Sequence, residues 1–174
     1  MSVTISGNYA LTLDNCRNLL AGSSVYRSLM GVTTPAQAKA LTWWSLTDDQ
    51  QEYEQNQFPR AIVEYSDGYT VSRKSTTHGV STNTVDVSIE IAVPVQYEDS
   101  LQDALKWFRS QVGLMLDQLT SLSWGGEEDS LNTPNTYVDV EKFRIEYAGR
   151  GFPEKNPDAK EYLFAMLQFE CRGL

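Results

Sequence analysis

Val85-Asp86-Val87-Ser88-Ile89-Glu90-Ile91-Ala92-Val93-Pro94-Val95 is the stretch on which the fold turns. Val85, Val87, Ile89, Ile91, Val93 and Val95 all point one way, with Asp86, Ser88 and Glu90 opposite, so the segment is a strand with one face on a core. The other face meets water or a partner. Pro94 falls near the end, where a missing amide donor is tolerated.

The next element downstream is helical. Ser100 and Asp103 make a capping-box-like start. Leu101, Leu105, Phe108, Val112, Met115, Leu116, Leu119 and Leu122 then form one continuous stripe. A helix over 100–122 is roughly 33 Å long at ~1.5 Å per residue, enough to lie across a sheet. Its Met and aromatic positions belong to the core.

Upstream, Ala61 to Tyr65 is short and β-prone, Ser66-Asp67-Gly68 carries turn chemistry, and Tyr69 to Lys74 alternates again. Ser75 to Asn83 lacks large apolar residues and reads as the tip of a long β-hairpin. A tip of that length usually contacts something else. Nearer the start, Tyr9, Leu13, Cys16 and Leu20 form a helical stripe ending at Gly22, and Val25, Tyr26, Leu29 and Met30 repeat it in a shorter piece. Thr34-Pro35 has the cap and first-position pattern of a further turn. Leu41 to Leu46 reads as a strand, with Trp43 and Trp44 packed in the core or at a sheet edge.

Two strands close the chain. In Tyr137 to Tyr147, alternation sets Phe143, Ile145 and Tyr147 on one side. In Glu161 to Cys171, Leu163, Ala165, Leu167, Phe169 and Cys171 share one face while Tyr162, Phe164 and Met166 occupy the other. Such a strand is either central or meets another subunit through its second face. The expected class is α+β: a mixed or antiparallel sheet with a long hairpin, packed on one long amphipathic helix plus N-terminal helices. At 174 residues a single domain is expected.

Composition narrows the function. Hydrophobic residues make up 41% and the formal net charge is −9, so the chain is an ordinary globular one and lacks the basic balance of a sequence-reading nucleic-acid binder. Residues 48–58 carry −4 and residues 125–141 carry −5, together the whole net charge. Asp48, Asp49, Glu127, Glu128 and Asp129 therefore read as exposed acidic loops. Basic side chains are scattered, and Arg73-Lys74 at the base of the hairpin stands out. No apolar run reaches the ~18 residues of a membrane span, and Met1-Ser2-Val3-Thr4 does not open a signal peptide. Cys16 and Cys171 lack metal-type spacing and read as buried thiols of a reducing compartment.

Site chemistry is sparse. A Cys16/His78 pair would join a cysteine on an apolar stripe to a histidine in a polar loop, which is not a nucleophile with its base. Glu64 and Glu90 could pair as carboxylates, but solvated or interface positions fit them better. Gly149-Arg150-Gly151 lacks the following helix of a phosphate loop. No catalytic, cofactor-binding or metal-binding residues are assigned, no cofactor is expected, and the chain is not expected to be an enzyme.

This order of elements resembles the tail terminator family of long-tailed bacteriophages. The resemblance rests on Phe58-Pro59-Arg60-Ala61-Ile62-Val63-Glu64-Tyr65, on the alternating strand feeding the long helix, on Phe143-x-Ile145-Glu146-Tyr147, and on the final strand Tyr162 to Cys171. It runs from about Leu11 onward, with residues 25–57 longer than the minimal pattern and read as a peripheral insertion. It implies a virion protein, assembled in the host cytoplasm, that forms a ring, typically a hexamer, on the last tail-tube ring. The ring ends tube growth and offers a surface to the head-side connector, while DNA slides through the lumen without sequence-specific binding. On that reading Tyr162, Phe164 and Met166 form the subunit interface, and Arg73, Lys74, His78 and Asn83 contact tube or connector. The acidic loops line the lumen or stay exposed. The rival readings are another neck or connector ring protein and a small intracellular ligand-binding or enzymatic α+β domain.

Overall fold

In a computed structural model of the chain, the residues described are 8–44, 59–67, 83–95, 100–123, 139–151 and 161–173. Three short helices, α1 (Asn8–Gly22), α2 (Ser24–Leu29) and α3 (Pro35–Ala40), lead into the two-residue strand β1 (Thr42–Trp43). Then follow β2 (Arg60–Tyr65), β3 (Asn83–Pro94), the long helix α4 (Leu101–Ser123), β4 (Asp139–Arg150) and β5 (Tyr162–Gly173). The strands form one sheet in the order β1-β2-β3-β5-β4, antiparallel except for the β1–β2 pair. The fold is α+β with a mixed sheet, as the alternation and the helical stripe require.

One face of the sheet carries the core. Val85, Val87, Ile89 and Ile91 on β3 and Leu163, Ala165, Leu167, Phe169 and Cys171 on β5 are buried with Phe108, Val112, Met115 and Leu119 of α4. Leu13, Cys16 and Leu20 of α1 join them. The strand period of two and the helical stripe thus face each other, an arrangement that hides both from water at once. Tyr9 departs from its expected place on the stripe: it is 56% exposed and lies against Tyr65, with ring centroids 4.8 Å apart. The Tyr65 hydroxyl donates to the Tyr9 carbonyl at 2.6 Å, pinning the start of α1 to the end of β2.

Residues 24–44 are built into the core rather than set apart from it. Tyr26, Leu29, Met30 and Ala38 are all buried in the main cluster. Ser23 caps α2 by accepting from the Tyr26 amide, and its own hydroxyl donates to Gln118 Oε1 of α4 at 2.8 Å. Gln118 Oε1 also accepts from the Val25 amide at 3.2 Å, so one amide side chain joins two helices. Helix α2 ends where Gly31 adopts φ +65°. The Gly31 and Val32 amides then return to the Ser28 and Arg27 carbonyls, the closure that a left-handed residue permits. Thr34 and Gln37 form the full capping box at α3.

The expected strand at Leu41 to Leu46 is reduced to Thr42–Trp43 within the described residues, with Trp44 partly buried against the core. Thr42 Oγ1 donates to the Ala38 carbonyl at 2.8 Å, which leaves its oxygen to accept from the Tyr26 hydroxyl at 2.5 Å. Arg17 completes this corner. Its guanidinium donates to the Thr42 carbonyl at 2.7 Å, to the Lys39 carbonyl at 2.9 Å and to Asp14 Oδ1 at 3.2 Å.

Strand β4 corrects the alternation read from sequence. Its register against β5 shifts twice, between Val140 and Lys142 and between Ile145 and Tyr147. Each bulge inserts one residue and reverses the facing of the residues beyond it. Phe143 and Ile145 stay opposite Phe169 and Leu167, whereas Tyr147 crosses over to lie opposite Met166. The strand also runs on past Tyr147, the end the sequence gives it, through Gly149 to Arg150.

Candidate functional site

The second face of the sheet carries the residues singled out from the final strand. Tyr162, Phe164 and Met166 are half-buried and stand outside the core cluster, on the opposite face of β5 from Leu163, Ala165 and Leu167. Strand pairing arranges this face in rows. Arg60, Ala92, Phe164 and Gly149 form one; Ile62, Glu90, Met166 and Tyr147 form the next. Glu64, Ser88, Gln168 and Arg144 come after these, then Asp86, Glu170 and Lys142. The face therefore grades from an apolar, aromatic end to a charged end that carries both signs.

The aromatic end is held by glycines. The Tyr147 ring folds over Gly149, where a β-carbon would lie 2.6 Å from its hydroxyl oxygen, and that hydroxyl donates to the Arg150 carbonyl at 2.9 Å. A β-carbon on Gly151 would collide with the Tyr162 ring. Phe164 sits between the two tyrosines, 6.3 Å from Tyr147 and 6.5 Å from Tyr162 by ring centroids, the second contact edge-to-face. Gly149-Arg150-Gly151 thus serves as a bed for aromatic rings, while Arg150 pairs with Glu161. Ile62 and Ala92, at 8% and 4% exposure, complete this end.

Among the described residues, shallow depressions mark both ends of the face. One of about 180 Å³ is lined by Arg60, Ile62, Glu90, Ala92, Tyr162 and Phe164. The other, about 170 Å³, is lined by Asp86, Lys142, Arg144, Gln168 and Glu170. Glu90 lies in the first, and its carboxyl is pushed above the usual carboxylate range, first by burial and then by the neighbouring Glu64, with Arg60 opposing. The two strand glutamates are therefore electrostatic neighbours, and Glu90 is desolvated rather than fully solvated.

Asn83 opens β3 opposite Gly173, so it belongs to the ladder and not to a hairpin tip. Arg73, Lys74, His78, Asp48, Asp49, Glu127, Glu128 and Asp129 lie outside the described residues, as do residues 75–82, where the sequence leads one to expect the hairpin tip. Cys16 has no histidine partner among the described residues; its nearest reactive neighbour is Cys171, sulfur to sulfur 3.8 Å. Among the described residues no group of three His, Cys, Asp or Glu could hold a metal ion, and no helix is long and apolar enough to cross a membrane. Tyr147 is the member of this face that sequence reasoning missed, because a bulge leaves no period-two signal. No family model and no curated protein matches the chain.

Proposed function

We propose that the chain is a virion structural protein whose copies close into a ring, hexameric by resemblance, at the head-proximal end of a phage tail tube. There it ends tube growth and presents a surface for head joining. The observation that carries this reading is the second sheet face, where Tyr147, Tyr162, Phe164 and Met166 gather away from the core. Aromatic and methionine side chains concentrated beside charges of both signs are the composition of a protein interface. Arg60, Lys142 and Arg144 lie on the same face as Glu64, Glu90, Asp86 and Glu170. Successive copies could therefore match positive to negative while the aromatic ends are buried. The acidic charge of residues 48–58 and 125–141 supports a lumen that DNA crosses without sticking, since binding by counterion release needs cations.

Negative-stain images of the purified chain, alone and mixed with tail-tube subunits, test the reading. Rings with a central hole, and tubes shortened as the chain is added, are expected. Monomers in both conditions by light scattering would overturn it. Rings that leave tube length unchanged would place the chain in another ring of the neck.

A further inference from the structure

Cys16 lies on α1 and Cys171 near the end of β5, 155 positions apart, yet their sulfurs stand 3.8 Å from one another. No bond joins the two sulfurs, and both side chains are fully buried. Cys171 is flanked in the sheet by Val85 and Val140, so the pair sits in an apolar pocket. A disulfide places its sulfurs ~2.05 Å apart. The sulfurs stand less than ~2 Å beyond that bonding distance.

We propose that Cys16 and Cys171 form a latent disulfide, a modification site at which a small-molecule disulfide of the oxidised-glutathione class ties the first helix to the last strand. The thiolate of one cysteine attacks a sulfur of the reagent, forming a mixed disulfide and releasing one glutathione thiolate. The thiolate of the other cysteine then attacks the protein sulfur of that mixed bond and expels the second. The protein loses two protons and two electrons, and the reagent takes them up to become two glutathione thiols. Because both sulfurs are buried, the reaction waits on local opening of α1 from β5. The closed bond restricts the unfolded chain over nearly its whole length, the case in which chain-entropy arguments give the largest stabilisation. This inference is independent of the assembly role.

The test incubates the full chain with oxidised glutathione under native conditions, alkylates the remaining thiols, and maps linked peptides by mass spectrometry. The expected product is an intramolecular link between the Cys16 and Cys171 peptides. It should form faster in urea below the unfolding transition and raise the melting midpoint by roughly 5–10 °C, reversibly with dithiothreitol. The Cys171→Ala variant should show no such link. The proposal is overturned if both thiols stay alkylatable after incubation just below the melting midpoint, if the links formed are between molecules, or if the link lowers the midpoint.

Discussion

Tyr147 faces Met166 across β4 and β5, although counting from Phe143 and Ile145 would send it into the core. The extra residue, Glu146, is what turns it. The bulge moves an aromatic ring from the face of Phe143 and Ile145 to the one where Phe164 and Gly149 receive it.

Deleting Glu146 should remove the bulge and leave Tyr147 directly after Ile145, on the second face by plain alternation. Every residue beyond it keeps its partner on β5, so the expected cost is about 1 kcal/mol or less. Urea unfolding monitored by far-UV dichroism should read a nearly unchanged midpoint, and a collapse of the midpoint would show that the bulge itself is required.

Phe164→Glu and Met166→Glu place charge on the half-buried second face and leave the core face of β5 intact. Rings should give way to monomers in light scattering while cooperative unfolding is kept, because truncating a central apolar anchor removes much of an interface's affinity. Rings that persist in both variants would move the interface elsewhere.

Arg17→Ala removes the cation that joins the Lys39 and Thr42 carbonyls to Asp14. A loss of roughly 2–3 kcal/mol is expected, as for charge-assisted bonds in a partly buried site. Burial pulls the Arg17 guanidinium below its ordinary value, with Asp14 opposing, so the group is desolvated and depends on these partners. Arg17→Lys should rescue little, since an ammonium cannot span both carbonyls and the carboxylate in that planar geometry. Equal stability of the Lys variant and the parent would refute this account.

Glu90 gives a pH signature. Its folded carboxyl is raised above the unfolded value, so between those two values the folded state holds the proton more tightly. Stability from this group is complete below the unfolded value of about 4.3 and declines as pH climbs through the folded one. Glu90→Gln should therefore stabilise the chain at neutral pH and give no gain at about pH 4. Chemical unfolding at the two pH values checks the sign, and a larger gain at acid pH would contradict it.

Much of this architecture is legible in the sequence because its signals are local. The alternation of Val85 to Val93 and the stripe from Leu101 to Leu122 each need only a short window of chain, and both elements occur where those periods put them. The two faces of β5 are legible for the same reason. Contacts set by tertiary packing are not. Gln118 reaching Ser23 and Val25, and Cys16 meeting Cys171, join positions 93 to 155 residues apart and leave no trace in spacing. Tyr147 escapes the parity rule because a bulge breaks it without changing composition.

The last strand in sequence fills an interior slot, between β3 and β4. On the ribosome this sheet therefore remains split until residues 162–173 have emerged, since β4 has no neighbour to join before then. Nascent chains halted before Tyr162 should be digested by protease as readily as an unfolded polypeptide, and chains released past Gly173 should resist. Folding is thereby deferred until β5 has been made, and a product cut short before it would expose β3 as an unpaired edge for quality-control proteases to find.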